Sequence, residues 1–286
     1  MQLIRVEHLC KTYPSFTLSD VGFVLEEGRI MGFIGRNGAG KTTALKAMLN
    51  FIPADSGRCV INGFDIRTDE RAVKDSIGFI DGSGCFYRHR RLRDIIAVTR
   101  RFYSEWDDGR CGTLMRRFGL DDGKTVKSLS AGMRVKFQLA LALCHNARLL
   151  ILDEPTSGLD PVSRDELVQL FQNYVSGGTR SILFSTHIIS DLEKCADDIT
   201  YIQNGAILES ADVRTFKESY RLVSGESGCI GGGLRGKIIG LSERRGEFEG
   251  MIRNRDAELF AQLPPSQPSL EEIMIHIERG NPAGQP

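Results

Sequence analysis

The sequence predicts an α/β fold whose core is a mixed sheet flanked by helices. Apolar runs that end in glycine or in acidic residues, such as residues 29–35 and 149–152, are typical of buried strands in such a sheet. Between these runs, residues 93–146 carry apolar side chains at helical spacing. A chain of 286 residues that is 41% hydrophobic is long enough for one large domain with an appendage.

The first third of the chain alternates predicted strands with a short helix. An Asn62-Gly63 dipeptide between two apolar runs predicts a β-hairpin, and hence an antiparallel β subdomain. The expected elements are strands at 3–9, 29–35 and 77–80, a helix at 44–49 and the hairpin at 59–66.

A mostly helical subdomain is predicted over residues 93–146, and strands return after it. Its first helical face combines Leu92, Ile95, Ile96, Thr99 and Phe102. The later strands are expected at 149–152, 181–184 and 199–202, followed by a second Asn-Gly turn at 204–205.

Residues 221–286 are predicted to form a small α/β appendage to a main domain at residues 1–220. A glycine-rich stretch from about residue 224 is expected to be a loop, and the segment 263–268 contains helix breakers. Ser269 and Glu272 match a capping box. The helix that follows should bury one face, made of Leu270, Ile273, Met274 and Ile277.

The composition argues against several classes of protein. Lys+Arg and Asp+Glu number 37 each, so no net field attracts nucleic acid or an anionic membrane. The seven cysteines are odd in number and show no CxxC spacing, which favours a reducing cytoplasm over a disulfide framework or a zinc site. The amino terminus lacks the apolar core of a signal peptide, and no apolar run is long enough to span a bilayer. Any membrane partner would therefore be a separate chain.

The most specific motif is Gly35-Arg-Asn-Gly-Ala-Gly-Lys-Thr42, which fits G-x-x-x-x-G-K-[ST] between an apolar strand and a helix. Its glycines let the backbone N–H groups surround phosphate oxygens, Lys41 supplies charge to the β- and γ-phosphates, and Thr42 is placed to hold Mg²⁺. The alternative is a glycine turn that binds nothing. The motif predicts a P-loop NTPase core, with nucleotide contacts from Gly35, Arg36, Asn37, Gly38, Ala39, Gly40, Lys41, Thr42 and Thr43.

Two carboxylates follow the apolar run 149–152. Asp153 and Glu154 would lie at the carboxyl edge of the sheet, where open α/β sheets bind ligands. We expect Asp153 to hold Mg²⁺ and Glu154 to act as the general base toward water. Two solvated acids at a strand end are the alternative.

Further motifs in the same order resemble those of the ATP-binding cassette (ABC) family over residues 3–220. Leu129-Ser130-Ala131-Gly132-Met133 is similar to the signature LSGGQ, and Ser157-Gly-Leu-Asp160 to the D-loop. His187 matches the switch histidine, and Tyr13 the aromatic residue that stacks on adenine, with Phe16 as a competitor. Taken alone, Ser130 could be an ordinary helix cap, His187 a structural histidine and Tyr13 a core residue.

The resemblance implies an ATPase that uses ATP and Mg²⁺ and works as a pair of cassettes on a separate transmembrane permease. Ser130, Gly132 and Asp160 would contact the ATP held by the other cassette. Lys41 and His187 would assist Glu154 in catalysis. The resemblance further implies a helical signature subdomain and a peripheral place on the inner face of the membrane. It is greatest to bacterial exporter-type systems, which points to export.

Three positions depart from the family pattern. Asp81 stands at or near the place of a glutamine that touches Mg²⁺, and a carboxylate can also ligate the metal. Met133 lacks the polar end of glutamine, and Arg36 replaces a common proline. The basic run at residues 88–93 is open to three interpretations: a nucleic-acid or lipid patch, a docking surface for the permease, or a solvated helix start.

Two other hypotheses remain beside the transporter subunit. One is a soluble ABC ATPase that remodels ribosomes or nucleic acid, although one cassette and no sustained heptads fit it poorly. The other is a nucleotide-gated regulator that binds ATP without useful turnover, which Asp81 and Met133 favour slightly. No nucleic-acid partner is expected.

Overall fold

The structure is a computed structural model that describes residues 1–81, 87–263 and 265–280. It divides into two compact units, Met1–Ser210 and Ala211–Pro286. The strands that begin in the first unit are β1 (Gln2–Tyr13), β2 (Phe16–Glu26), β3 (Ile30–Ile34), β4 (Ser56–Ile61), β5 (Phe64–Asp65), β6 (Ile77–Asp81), β7 (Leu149–Asp153), β8 (Ser181–Thr186), β9 (Asp198–Gln203) and β10 (Ala206–Asp212). Its helices are α1 (Lys41–Met48), α2 (Glu70–Ser76), α3 (Leu92–Thr99), α4 (Asp108–Arg117), α5 (Ala131–Cys144), α6 (Pro161–Val175) and α7 (Ile189–Cys195).

A six-stranded sheet forms the centre of the first unit, in the order β10-β9-β3-β8-β7-β6. The inner pairs from β9 to β6 are parallel. Every residue of β3, β7 and β8 is buried, because helices cover both faces of a parallel sheet and continuous runs of Ile, Leu and Phe suit such strands. Their carboxyl ends, at Ile34, Asp153 and Thr186, therefore meet at one edge of the sheet.

An antiparallel sheet in the order β2-β1-β4-β5 packs its apolar face into the same core as β3 and α1. The predicted hairpin is confirmed: Ile61 pairs with Phe64, and Asn62 and Gly63 have φ of 51° and 84°, as a tight hairpin turn requires. Strand β2 was not predicted. Register shifts in its pairing with β1 disturb the alternation of apolar and polar residues that would have indicated it.

The segment predicted to be helical contains α3, α4 and α5. The expectation that Phe102 continues the first helical face is wrong, because α3 ends at Thr99 and the Phe102 side chain is 74% exposed. Helix α5 is buried on two opposite sides, and it packs against both β6 and α4. Its N-terminus is fixed at Ser130, whose Oγ accepts a hydrogen bond from the Met133 N–H at 3.2 Å.

The second unit contains a three-stranded antiparallel sheet in the order β11-β13-β12. A strand replaces the predicted loop at residues 224–226, because Gly225 leaves room for the Phe248 ring of the neighbouring strand. The predicted helix cap is confirmed: Ser269 Oγ accepts from the Glu272 N–H at 3.1 Å, and Glu272 accepts from the Ser269 N–H at 2.8 Å. The elements are α8 (Val213–Glu218), β11 (Tyr220–Glu226), α9 (Gly232–Arg235), β12 (Ile239–Arg244), β13 (Glu247–Arg253) and α10 (Leu270–Gly280).

The described residues include no helix with both the length and the apolar character needed to cross a bilayer.

Candidate active site

The loop between β3 and α1 begins at the carboxyl edge of the central sheet. Gly35 and Gly40 have φ of 157° and 109°, and both are tightly packed. A Cβ at Gly35 would lie 2.3 Å from the Ile202 carbonyl oxygen, and one at Gly40 would lie 2.7 Å from the Phe16 ring. Both positions therefore require glycine, and the spacing of the motif follows from the fold of the loop itself.

Lys41, the first residue of α1, turns its side chain back into the loop. Its Nζ donates hydrogen bonds to the carbonyl oxygens of Gly35 at 2.7 Å and Arg36 at 3.2 Å. It also lies 3.3 Å from Glu154 Oε1, and its side chain is only 5% exposed. A buried ammonium is costly without anionic or polar partners, and these three oxygens supply them.

The carboxylate of Asp153 is held from two sides. Thr42 Oγ1 donates to Oδ2 at 2.7 Å, and Ser185 Oγ donates to Oδ1 at 2.5 Å. The Asp153 side chain is 5% exposed, so these two hydroxyls are what stabilises its charge. The contact joins the phosphate-loop helix to the ends of β7 and β8.

Glu154 lies between Lys41 and the predicted switch histidine. Its Oε2 is 2.7 Å from His187 Nδ1, and its Oε1 faces Lys41. The backbone of Glu154 has φ of 51°, an uncommon conformation for a residue other than glycine. Hydrogen bonds from its N–H to the Ser185 carbonyl oxygen at 3.0 Å and to Ser185 Oγ at 3.2 Å hold that conformation.

Lys41, Thr42, Glu154 and His187 open into one cleft with a volume of about 640 Å³, whereas Asp153 contacts Thr42 but does not line the cleft. Tyr13 is 39% exposed at the rim of the cleft, and Phe16 is half-buried beside it. Both residues therefore remain candidates for the aromatic side chain that stacks on adenine. The lining residues are Tyr13, Pro14, Ser15, Phe16, Arg36, Asn37, Gly38, Gly40, Lys41, Thr42, Thr43, Glu154, Ser157 and His187. Gly35 and Ala39 are buried in the loop behind this surface.

The three residues predicted to contact the ATP of the other cassette do not line the cleft of their own chain. Ser130 is exposed at the start of α5, and Gly132 in the first turn of that helix faces Ser163 of α6. Asp160 caps α6 by accepting from the N–H groups of Val162 and Ser163 and from Ser163 Oγ. These bonds, first that from the Ser163 N–H, hold the pKa of the Asp160 carboxyl below its ordinary value.

Asp81 is the last residue of β6, and residues 82–84 of the glutamine-loop segment lie outside the described residues. Asp81 pairs in register with Asp153 of β7, which in turn pairs with Ser185 of β8. Parallel partners point to the same face of a sheet, so Asp81 lies in the row of polar residues that contains the Asp153 carboxylate.

The sequence analysis gave no role to Ser185, although this residue contacts the Asp153 carboxylate and the Glu154 N–H. A serine in an apolar strand gives no signal of its own. Only its place in the Ser185-Thr186-His187 sequence, two residues before the histidine, puts it at the same sheet edge.

Comparison with known proteins agrees with this geometry. A family model described as ABC transporter matches residues 18–157. The chain is 32% identical to the ABC transporter ATP-binding protein YtrB of Bacillus subtilis over 280 residues, which is 96% of either chain. The chain belongs to the ABC transporter family. Within that family it is an ATP-binding subunit and an ATPase, and the α/β P-loop fold predicted from the sequence is confirmed.

Other relatives and structures are consistent with the assignment to ABC ATP-binding subunits. The bacitracin transport ATP-binding protein BcrA of Bacillus licheniformis is 31% identical over 222 residues, covering 77% of this chain and 72% of BcrA. The lantibiotic transport ATP-binding protein SrtF of Streptococcus pyogenes is 32% identical, covering 72% and 89%. A solved ATP-binding subunit of an ABC transporter superposes with a TM-score of 0.69 at 26% identity, covering 75% of this chain and 92% of that one.

Proposed function

We propose that this ABC subunit binds MgATP in the cleft of its first unit and hydrolyses it with Glu154 as the general base. The observation that carries the proposal is the position of the Glu154 carboxylate, 3.3 Å from Lys41 Nζ and 2.7 Å from His187 Nδ1. A carboxylate at a phosphate cleft can accept a proton from an attacking water. Lys41 stabilises charge on the phosphates, and His187 orients the carboxylate and the water.

The residues around Asp153 fit a magnesium ion. Among the described residues no three His, Cys, Asp or Glu side chains are grouped as a metal site, so a protein cage is absent there. Mg²⁺ typically needs only one or two protein oxygens, because phosphate and water complete its shell. The Thr42 hydroxyl and the Asp153 carboxylate offer two such oxygens 2.7 Å apart, and Asp81 is the neighbouring carboxylate in the row. When bound, Mg²⁺ neutralises the charge of the β- and γ-phosphates.

A second cassette completes each ATP site in this proposal. Ser130 is exposed at the N-terminus of the 14-residue helix α5, where a helix end and a hydroxyl can meet phosphate oxygens. Ser130, Gly132 and Asp160 do not line the cleft of their own chain. In the proposed pair, they contact the ATP bound in the cleft of the other chain. The two cassettes then bury two ATP molecules at their interface, and hydrolysis of the ATP separates the two cassettes.

The permease partner is proposed to dock beside α3. Tyr87, Val98 and Phe102 are exposed there, with exposed fractions of 68%, 51% and 74%. The basic run at residues 88–93 adjoins them. Aromatic residues and arginine are enriched in protein–protein interfaces, so this surface suits contact with the permease. We infer that this contact holds the subunit at the inner face of the cell membrane. The resemblance of the motifs to exporter-type systems favours export over import.

Single-turnover kinetics test the proposal. The parent protein should bind ATP in the presence of Mg²⁺ and release phosphate. Glu154→Gln should retain ATP binding but release phosphate at least about 100-fold more slowly, which is the usual effect of losing a general base. Glu271→Gln, an exposed position in the first turn of α10, is the matched control. If Glu154→Gln releases phosphate as fast as the parent, the base is a different group. ATP binding by the parent without phosphate release would support a nucleotide-gated regulator instead.

A further inference from the structure

Ser185 is a fully buried polar residue of β8 that lies beside Asp153 and Glu154. Its side chain is 0% exposed, and it is the fifth residue of a strand whose apolar positions fill the core. A hydroxyl in such a place destabilises the fold unless hydrogen bonds satisfy it. Its hydrogen-bond partners therefore indicate why a serine stands there.

The Ser185 hydroxyl uses both its donor and its acceptor capacity on the two acidic residues. It donates to Asp153 Oδ1 at 2.5 Å and accepts from the Glu154 N–H at 3.2 Å. The Ser185 carbonyl oxygen accepts from the same N–H at 3.0 Å. One hydroxyl has a single donor and two acceptor lone pairs, so the two side-chain bonds form together.

These bonds determine which oxygen of Asp153 faces Thr42, the residue that lines the cleft beside it. With Oδ1 bound to Ser185, Oδ2 is the oxygen that faces the Thr42 hydroxyl. The same serine holds the left-handed backbone of Glu154, from which the side chain reaches Lys41 and His187. Partners of this kind fix the orientation of a metal-binding carboxylate.

We propose that Ser185 is a positioning residue that orients Asp153 for Mg²⁺ and Glu154 for the attacking water, an inference that rests on the proposed function. It does not touch ATP, because it does not line the cleft. Its loss should raise the Mg²⁺ concentration that enhances nucleotide binding and leave metal-free binding unchanged. A residue with a merely structural role would weaken both kinds of binding equally or neither.

The test compares Ser185→Ala with Ser181→Ala. Ser181 lies on the same strand with the same 0% exposure, and its hydroxyl also makes two hydrogen bonds, to Glu26 and Arg29, but at the opposite end of β8. Both variants lose a buried hydroxyl, so denaturant unfolding should show a lower stability for each, and the loss should be larger for Ser185→Ala because its hydroxyl donates to a carboxylate. Ser185→Thr restores a hydroxyl at the site.

Binding of a fluorescent ATP analogue is titrated with Mg²⁺ and repeated in EDTA. We expect Ser185→Ala to need about 10- to 100-fold more Mg²⁺ for half-maximal enhancement of binding, the usual effect of removing such a partner. Ser181→Ala should match the parent, Ser185→Thr should recover at least part of the loss, and binding in EDTA should be equal in all four proteins. An unchanged Mg²⁺ requirement in Ser185→Ala, or an equal change in Ser181→Ala, would overturn the inference and leave the proposed function intact. A parent protein that binds no nucleotide would contradict the proposed function itself.

Discussion

Replacing Lys41 by methionine separates the role of its charge in ATP binding from its role in folding. The side chain is 5% exposed and its Nζ contacts Gly35, Arg36 and Glu154. Removing one partner of a fully buried ion pair is strongly destabilising, but the Glu154 side chain is 22% exposed and keeps its contact with His187, and methionine has a volume similar to that of lysine. The free energy of unfolding should therefore fall by only about 1 kcal/mol, the usual value of a lost hydrogen bond.

Binding should respond much more strongly than folding to the same change. A hydrogen bond to a charged group contributes about 1.5–3 kcal/mol, and methionine offers the phosphates no donor. Since about 1.4 kcal/mol corresponds to a factor of ten, ATP affinity should fall about 10- to 100-fold. The affinity is measured with a fluorescent ATP analogue, and the stability by urea unfolding of the same preparations.

Lys46→Met is the matched control, because Lys46 lies in the last turn of the same helix, is half-buried and does not line the cleft. It should bind ATP as the parent does. Equal affinity in Lys41→Met and the parent would refute the assignment of Lys41 to the phosphates. A loss of several kcal/mol of stability in Lys41→Met would show that its main role is to hold the loop together.

Three further predictions concern the fold. Gly205→Ala should destabilise the protein by about 3 kcal/mol or more in urea unfolding, because its Cβ would lie 1.9 Å from the Thr17 carbonyl oxygen. Gly63→Ala, at a position with a similar φ and open space around it, should cost only about 1 kcal/mol. Equal costs for the two variants would contradict this prediction. Ser269→Ala removes a capping box and should cost about 1 kcal/mol by the same assay, and an unchanged midpoint would contradict it. Burial lowers the pKa of His145 to about 4, so the unfolded chain binds this proton more tightly and the free energy of unfolding falls as the pH drops from about 6.5 to about 4. In His145→Phe, the difference between the denaturant midpoints at pH 7 and pH 5 should be smaller than in the parent. An equal difference in the two proteins would contradict the lowered pKa of His145.

The phosphate loop and the acid pair were predictable because their chemistry is local in sequence. Gly35 and Gly40 have φ values of 157° and 109°, which only glycine adopts readily, so the motif itself specifies the shape of the loop. Asp153 and Glu154 end a strand that is entirely apolar, and such a strand in a parallel sheet delivers its last residues to the ligand-binding edge. The hairpin at Asn62-Gly63 followed equally from two residues.

The features that were missed depend on contacts distant in sequence. Strand β2 owes its place to pairing with β1 despite an irregular pattern. Gly225 belongs to a strand because the ring of Phe248 occupies the space of its missing side chain. Ser185 gains its importance only when β7 and β8 are adjacent. Phe102 fits the helical spacing, yet the helix ends before it.

Phosphate release from mixed variants is the most direct test of the claim that one chain's Ser130 completes the ATP site built on another chain's Lys41. Lys41→Met and Ser130→Tyr are each expected to be inactive alone under single-turnover conditions. When the two are mixed, a mixed dimer contains one site with both native residues, so phosphate release should reappear. If the mixture stays inactive while each variant still forms dimers with the parent, Ser130 does not serve a neighbouring chain and the account is contradicted.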